Sequence, residues 1–339
     1  MSQKNYIASV PSNIAFLKYW GKENEAEQWP ANDSLSMTLE NAKTITDVTI
    51  GKNSHRVILN DVEISSSSSA GKKIFNHLNY LSKKFGFDKP LSIESLNTFP
   101  TGCGIASSAS GLGALTLGSI AAWTDSSNLE ELNEKGFSLP TLANLARMGS
   151  GSAARSFAGG YVHWSKGTSP SQQEVCQRFP REHWALSDLI VLFSNQPKHV
   201  SSTTAHKAAW SSPLFPARLA SLDTKLLQMT NAIEERDMGK LGQLIEQEAL
   251  EMHGVIMSSN PSIQYFDQTT GNFLAWIRQL RKETGLEVYF TIDAGPNIHM
   301  IGQPDDISSL KDHIAQTFPE LKMIEDITGS GPSLSAQSQ

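Results

Sequence analysis

Two cysteines in 339 residues, Cys103 and Cys176, are too few for a disulfide framework or a cysteine-rich zinc site, and they suit a reducing compartment. An excess of positive charge is also missing: 28 Lys and Arg stand against 34 Asp and Glu, a formal net charge of −6. No basic field is therefore available to capture nucleic acid by counterion release, and a nucleic-acid partner is not expected. Small anions remain open, because a few placed cations suffice for them. No run of about 18 apolar residues occurs, which argues against a membrane span. The opening stretch MSQKNYIASVPSN has no apolar core of the signal-peptide kind, so a soluble, cytosolic protein is expected.

What is present is a foldable composition, 39% hydrophobic and 18% charged, on a chain long enough for two domains. The first half alternates turns with strand-like runs, DVTIG, RVILN and LSIESLN, the last with Leu91, Ile93 and Ser95 on one face at period two. Ser65 to Ser69 is a five-serine run that reads by composition as a flexible loop. A polar stretch between Trp164 and Trp184 precedes the apolar run LSDLIVLFS, which places a domain boundary near residue 185. Residues 213–257 read as long helices. Helix GNFLAWIRQLRKE, strand LEVYFTID, turn AGPN, strand IHMIG, helix ISSLKDHIAQTF and strand LKMIEDI follow. Together these predict an α+β split sandwich. The small, polar tail from residue 329 to 339 reads as frayed. The expected units are thus 1–185, 186–328 and a flexible 329–339.

Four segments carry chemistry. In FPTGCGIASSASG, residues 99–111, glycines follow a predicted strand and serines lead into a small-residue helix. Gly102 and Gly104 would let the backbone approach an anion, and Ser107 and Ser108 stand where first-turn N–H groups and the helix dipole add about 0.3–1 kcal/mol of attraction. A serine hydroxyl there could also meet Mg²⁺ carried by a nucleotide. A glycine turn before a packing helix fits the same residues, and no Gly-Lys-Ser/Thr of a Walker loop follows. ARMGSGSAARSFAGG repeats the theme: Ser150 and Ser152 flank a glycine, and Arg155 can fork onto a carboxylate or phosphate. A surface turn with a solvated arginine is the alternative. In NIAFLKYWGK, Lys18, Tyr19 and Lys22 sit among apolar residues, where a lysine is costly to bury unless an anion meets it; an edge strand with snorkelling lysines is the other reading. In TIDAGPN, Asp293 ends an apolar strand, either as a turn-former or as a general base held at a strand end.

At these residues the chain resembles the diphosphomevalonate decarboxylases of the GHMP kinase superfamily. That family shares NIAxxKYWGK, N-x-S-L-S-x-T-L, P-T-x-x-G-x-A-S-S-A, A-R-x-G-S-G-S-A-x-R-S-x-x-G-G and D-A-G-P-N, and all five occur here in order across residues 13–297. Alanines often stand in the family at Gly102 and Cys103, leucine at Ile105 and cysteine at Ala154; none of these differences removes a charge or hydroxyl. The resemblance implies an N-terminal domain like ribosomal protein S5 domain 2, a ferredoxin-like C-terminal domain, and a ligand cleft between them. It also implies ATP- and Mg²⁺-dependent conversion of (R)-5-diphosphomevalonate to isopentenyl diphosphate in the mevalonate pathway of isoprenoid biosynthesis, by a homodimer. By motif, Gly102, Gly104, Ser107 and Ser108 would hold ATP phosphates, Ser108 also serving the metal. Ser150, Ser152, Arg155, Tyr19 and Lys22 would hold the substrate, and Lys18 would approach the base Asp293. Phosphomevalonate decarboxylase and mevalonate 3-kinase activities on the same fold are the alternatives.

Overall fold

The computed structural model describes residues 4–99, 107–193, 200–265 and 267–338. The chain runs β1 (Lys4–Leu17), the short β2 (Lys22–Asn24) and β3 (Trp29–Pro30), the long β4 (Ser34–Ile50), β5 (Arg56–Leu59), β6 (Val62–Glu63) and α1 (Ser69–Phe85). Next come β7 (Leu91–Asn97), α2 (Ser107–Thr124), α3 (Leu129–Glu134), α4 (Leu139–Gly149), β8 (Tyr161–Ser165) and β9 (Glu174–Phe179). The second half holds β10 (Ser187–Leu192), α5 (Ser202–Ala208), α6 (Phe215–Glu235), α7 (Met238–Met257), α8 (Gln268–Thr284), β11 (Tyr289–Ile292), β12 (Ile298–Gly302), α9 (Pro304–Thr317), β13 (Lys322–Ile327) and β14 (Ser333–Ser338).

The larger sheet has the order β14-β1-β4-β7-β5-β6, with β8 joined to β4 and β9 to β8. β1 shows why the two halves belong together. In its first part burial alternates, with Tyr6, Ala8 and Val10 facing a core shared with Leu115, Leu117 and Ile120 of α2. From Val10 to Leu17 every residue is buried, because the second face is also covered. Ile14, Phe16 and Leu17 pack in one cluster with Leu222 and Met229 of α6 and Ile245 of α7.

The smaller sheet is antiparallel in the order β11-β12-β10-β13, which is the split βαββαβ arrangement read from the sequence. One face packs Leu189, Phe290 and Met300 against Phe273 and Ile277 of α8 and Ile314 of α9. The two sheets are tied at Asp326 in β13, whose carboxylate accepts backbone N–H groups of Glu40, Asn41 and Ala42 at 2.7–2.9 Å.

Two expectations need correction. The polar composition of residues 329–339 predicts a flexible tail, yet β14 pairs antiparallel with β1 from Lys4↔Ser338 to Ser9↔Ser333. One face of this edge strand meets solvent, so its apolar content is little more than buried Leu334, too weak a pattern to reveal a strand. Residues 333–338 therefore return to the larger sheet and form its edge. The serine run is not all loop either: Ser68 caps α1, its hydroxyl accepting the Gly71 N–H at 3.0 Å, and Ser69 is the first helical residue.

Candidate active site

Lys18 follows the last residue of β1 and is 2% exposed, whereas Asp293 follows β11 of the other sheet. Their side chains meet: Lys18 Nζ donates to Asp293 Oδ1 at 2.6 Å. Burial lowers the Lys18 ammonium below its ordinary range, opposed by the charges of Asp293 and Glu248 and aided by Arg155. The snorkelling alternative for this lysine does not hold, since a carboxylate waits for it inside the protein.

The pair borders a cavity of about 320 Å³ that gathers residues from both halves of the chain. Of the expected site residues, Lys18, Tyr19, Lys22, Ser108, Ser150, Ser152, Arg155 and Asp293 all line it. Gly102 and Gly104 lie outside the described residues, and Ser107 opens α2. The three serines converge, with Ser150 Oγ 3.5 Å from Ser108 Oγ and 3.4 Å from Ser152 Oγ. Gly151 sits between the last two for a steric reason: a Cβ there would fall 2.7–2.8 Å from the ring and hydroxyl of Tyr19.

Arg155 is 4% exposed, and burial brings it down to about 10. Its Nε donates to Asn13 Oδ1 and its Nη1 to Ser34 Oγ, both at 3.2 Å, which fixes the guanidinium plane at the cavity wall. The Tyr19 hydroxyl is buried without a hydrogen-bond partner among the described residues, and burial pushes it well above its ordinary range. Lys22 is largely buried and pairs with Glu25 at 3.3 Å; burial, the larger effect, holds it below its ordinary value.

The residue patterns missed two further members. Lys73, in the first turns of α1, lines this cavity and also a neighbouring one of about 190 Å³ walled by Val57, Leu59, Ile74, Leu112 and Leu115. Water reaches Lys73 in the cleft, which blunts the effect of the protein around it; crowding and nearby Lys22 still lower it. The Ser68 cap was the signal that could have placed it. His206 of α5 stacks on Trp20 at 4.3 Å, and its Nδ1 accepts the Gly21 N–H at 3.0 Å. Burial, with Lys22, Arg218 and Arg155 nearby, lowers it to about 3, so the ring is neutral at pH 7 and its proton sits on Nε2.

The arrangement combines one buried Lys–Asp pair with cations and hydroxyls around a cleft, and it suits proton removal beside an anionic ligand. Among the described residues no three His, Cys, Asp or Glu side chains form a metal cluster. No described helix is long and apolar enough to cross a membrane.

Comparison with known proteins agrees along the whole chain. Residues 10–176 match the diphosphomevalonate decarboxylase-like N-terminal domain, and residues 188–338 match the mevalonate 5-diphosphate decarboxylase C-terminal domain. The diphosphomevalonate decarboxylase of Candida albicans is 33% identical over 311 residues, 86% of this chain and 83% of that protein. A structure of MDDEF in complex with MVAPP, AMPPCP and magnesium is 31% identical with a TM-score of 0.88, covering 100% of both chains. The mevalonate diphosphate decarboxylase from Enterococcus faecalis gives 31% and 0.87, again over 100% of both chains. The chain belongs to the diphosphomevalonate decarboxylase family.

Proposed function

We propose that this protein is an ATP-dependent carboxy-lyase that converts (R)-5-diphosphomevalonate to isopentenyl diphosphate, releasing ADP, phosphate and CO₂. The observation that carries the reading is the Lys18–Asp293 contact at a cleft lined by Arg155, Lys22 and three serine hydroxyls. Family membership and the complex of a relative with MVAPP, AMPPCP and magnesium support it.

The substrate's tertiary hydroxyl is a hindered, weak nucleophile. Asp293 takes its proton as the oxygen attacks the γ-phosphorus of ATP, and the bond from that phosphorus to the bridging oxygen breaks with ADP leaving. Lys18 pairs with the carboxylate and aims it. The C3–O bond then breaks with both electrons leaving on phosphate. The electrons of the bond to the carboxylate form the new C=C bond, and CO₂ departs. Arg155, Ser150 and Ser152 hold the substrate's carboxylate and phosphate chain; Tyr19 and Lys22 complete the contacts to its phosphates. The orphaned Tyr19 hydroxyl fits this role, since a buried donor awaits an acceptor.

Ser108 lines both cavities, and with Lys73 it marks the junction between a polar cleft and an apolar one. We assign the apolar cavity to the adenosine and the junction to the ATP phosphates. The hydroxyl cluster fits a nucleotide-borne Mg²⁺, with Ser108 the residue that would touch it, and the neighbouring cations fit the phosphates. When bound, magnesium neutralises charge on the phosphates. The proposal includes a cytosolic homodimer, which light scattering of the purified protein tests for assembly.

The test is direct: purified protein receives Mg-ATP with mevalonate, its 5-phosphate or its 5-diphosphate, and ADP and CO₂ are followed separately. Equal release of both from the 5-diphosphate alone is expected. ADP without CO₂ selects a 3-kinase, and turnover of the 5-phosphate selects the monophosphate enzyme.

A further inference from the structure

The side chain of Lys18 meets Asp293, but its peptide group is held by something else. The Lys18 N–H donates to Glu248 Oε1 at 3.3 Å, and its carbonyl accepts from Arg218 Nη2 at 2.9 Å and from Asn32 Nδ2 at 3.0 Å. Arg218 Nη2 donates to Glu248 Oε1 as well, and Lys225 Nζ donates to Glu248 Oε2 at 3.0 Å and to Glu251 Oε2, a half-buried carboxylate at the edge of the network. Glu248 is 0% exposed, Arg218 3% and Lys225 4%.

Charges are rarely buried this deeply, because two cations and a carboxylate lose their hydration. The geometry is also not the one that strengthens an ion pair most. Arg218 does not present its two-pronged fork to Glu248: it uses Nη2 alone, shared with the Lys18 carbonyl, while its Nε and Nη1 have no partner among the described residues. The arginine is placed to reach a backbone oxygen at the end of β1.

Glu248 lies on α7, and α7 packs against β11, the strand that delivers Asp293. A Cβ on Gly242 of α7 would fall 2.1 Å from the Tyr289 ring, which shows how close helix and strand lie. One helix therefore locates both partners of the reacting pair, Lys18 through its peptide and Asp293 through its strand.

We propose that Glu248 and Arg218, supported by Lys225, are positioning residues that clamp the Lys18 peptide so that its ammonium meets Asp293. They touch neither substrate nor nucleotide and act through Lys18. This rests on the decarboxylase reading for its effect on turnover.

The test replaces the three buried members of the network with apolar residues of similar size, Arg218→Met with Lys225→Met and Glu248→Leu, and leaves Glu251 with Gln247 and the solvent at the edge. Such a swap is often neutral or stabilising for the fold, so it separates positioning from stability. Expected are a cooperative melt within a few degrees of wild type, kcat lowered at least tenfold, and affinity for a non-hydrolysable ATP analogue within threefold. Amide hydrogen exchange at Lys18 should rise at least tenfold. A folded variant with kcat within twofold of wild type and unchanged exchange at Lys18 overturns the proposal. Should the triple variant fail to fold, Arg218→Met alone leaves Glu248 paired with Lys225; it should lower kcat at least threefold and speed Lys18 exchange, and wild-type values for both overturn the clamp equally. The exchange readout needs no turnover, so an inactive wild-type protein would count against the decarboxylase reading while leaving the clamp measurable.

Discussion

Lys18 and Asp293 come from the ends of strands in different sheets, yet their charged atoms lie 2.6 Å apart, with Lys18 2% exposed and the Asp293 side chain 26% exposed. The carboxylate edge turned to the cleft is thus backed by a cation that water scarcely reaches. Lys18→Ala should remove that backing and lower kcat by about 10²-fold or more, within the range for loss of a group in proton transfer. ATP-analogue affinity should change little. Steady-state kinetics with parallel calorimetry separate the two effects.

Arg155→Lys keeps the charge but loses the planar fork and the paired hold of Asn13 and Ser34. It should raise KM for the organic substrate by about tenfold, roughly 1.4 kcal/mol, with a smaller change in kcat. An unchanged KM would move Arg155 off the substrate.

Ser108→Ala should leave the fold intact, since Ser108 is exposed in the first turn of α2. Its hydroxyl serves the metal-bound phosphates in the proposed reaction. We expect lower kcat and a higher magnesium concentration for half-maximal rate, measured by titrating Mg²⁺ at saturating ATP.

Acid should destabilise the fold through three buried imidazoles. Burial lowers His77 and His253 to about 4 and His206 to about 3, from an ordinary 6.5. Between 6.5 and about 4 the unfolded chain binds protons that the folded chain refuses, so this contribution is complete above 6.5 and is lost as pH falls. His163 has the opposite sense. Burial lowers it, but Asp33, 2.9 Å away, and Cys176 outweigh that and raise it to about 9, so its contribution fades as pH rises from 6.5 towards 9. The melting temperature should drop from pH 6.5 to 5, and His77→Gln, which can keep the contact to Thr116, should reduce that drop.

Much of the site was legible because its chemistry is concentrated in short motifs. A lysine among apolar residues at Lys18 and an aspartate ending a strand at Asp293 each had an ordinary reading alone, and their meeting across 275 residues is what the fold adds. His206 sits on a short helix whose sequence carries no motif, so the cavity reveals it, and for Lys73 the Ser68 cap places the helix while the cavity reveals the role. Glu248 and Arg218 lie in the stretch 213–257 that reads as long helices, and no pattern there marks them; their burial depends on β1 being covered on both faces. The strand pattern of β11 and β12 was plain because those strands are wholly buried apolar runs, whereas β14 is a polar edge strand that pairs through its backbone. Helix α1 was hidden by the serines before it, although one of them is its cap.

The central claim is that Asp293 takes the proton of the hydroxyl that ATP phosphorylates. Asp293→Asn preserves the shape of the side chain and removes its basicity. Single-turnover release of ADP and CO₂ from 5-diphosphomevalonate should fall by about 10²–10⁴-fold, while calorimetric affinities for ATP analogue and substrate stay within about tenfold of wild type. A folded Asp293→Asn protein that releases ADP and CO₂ at near wild-type rate would contradict the account.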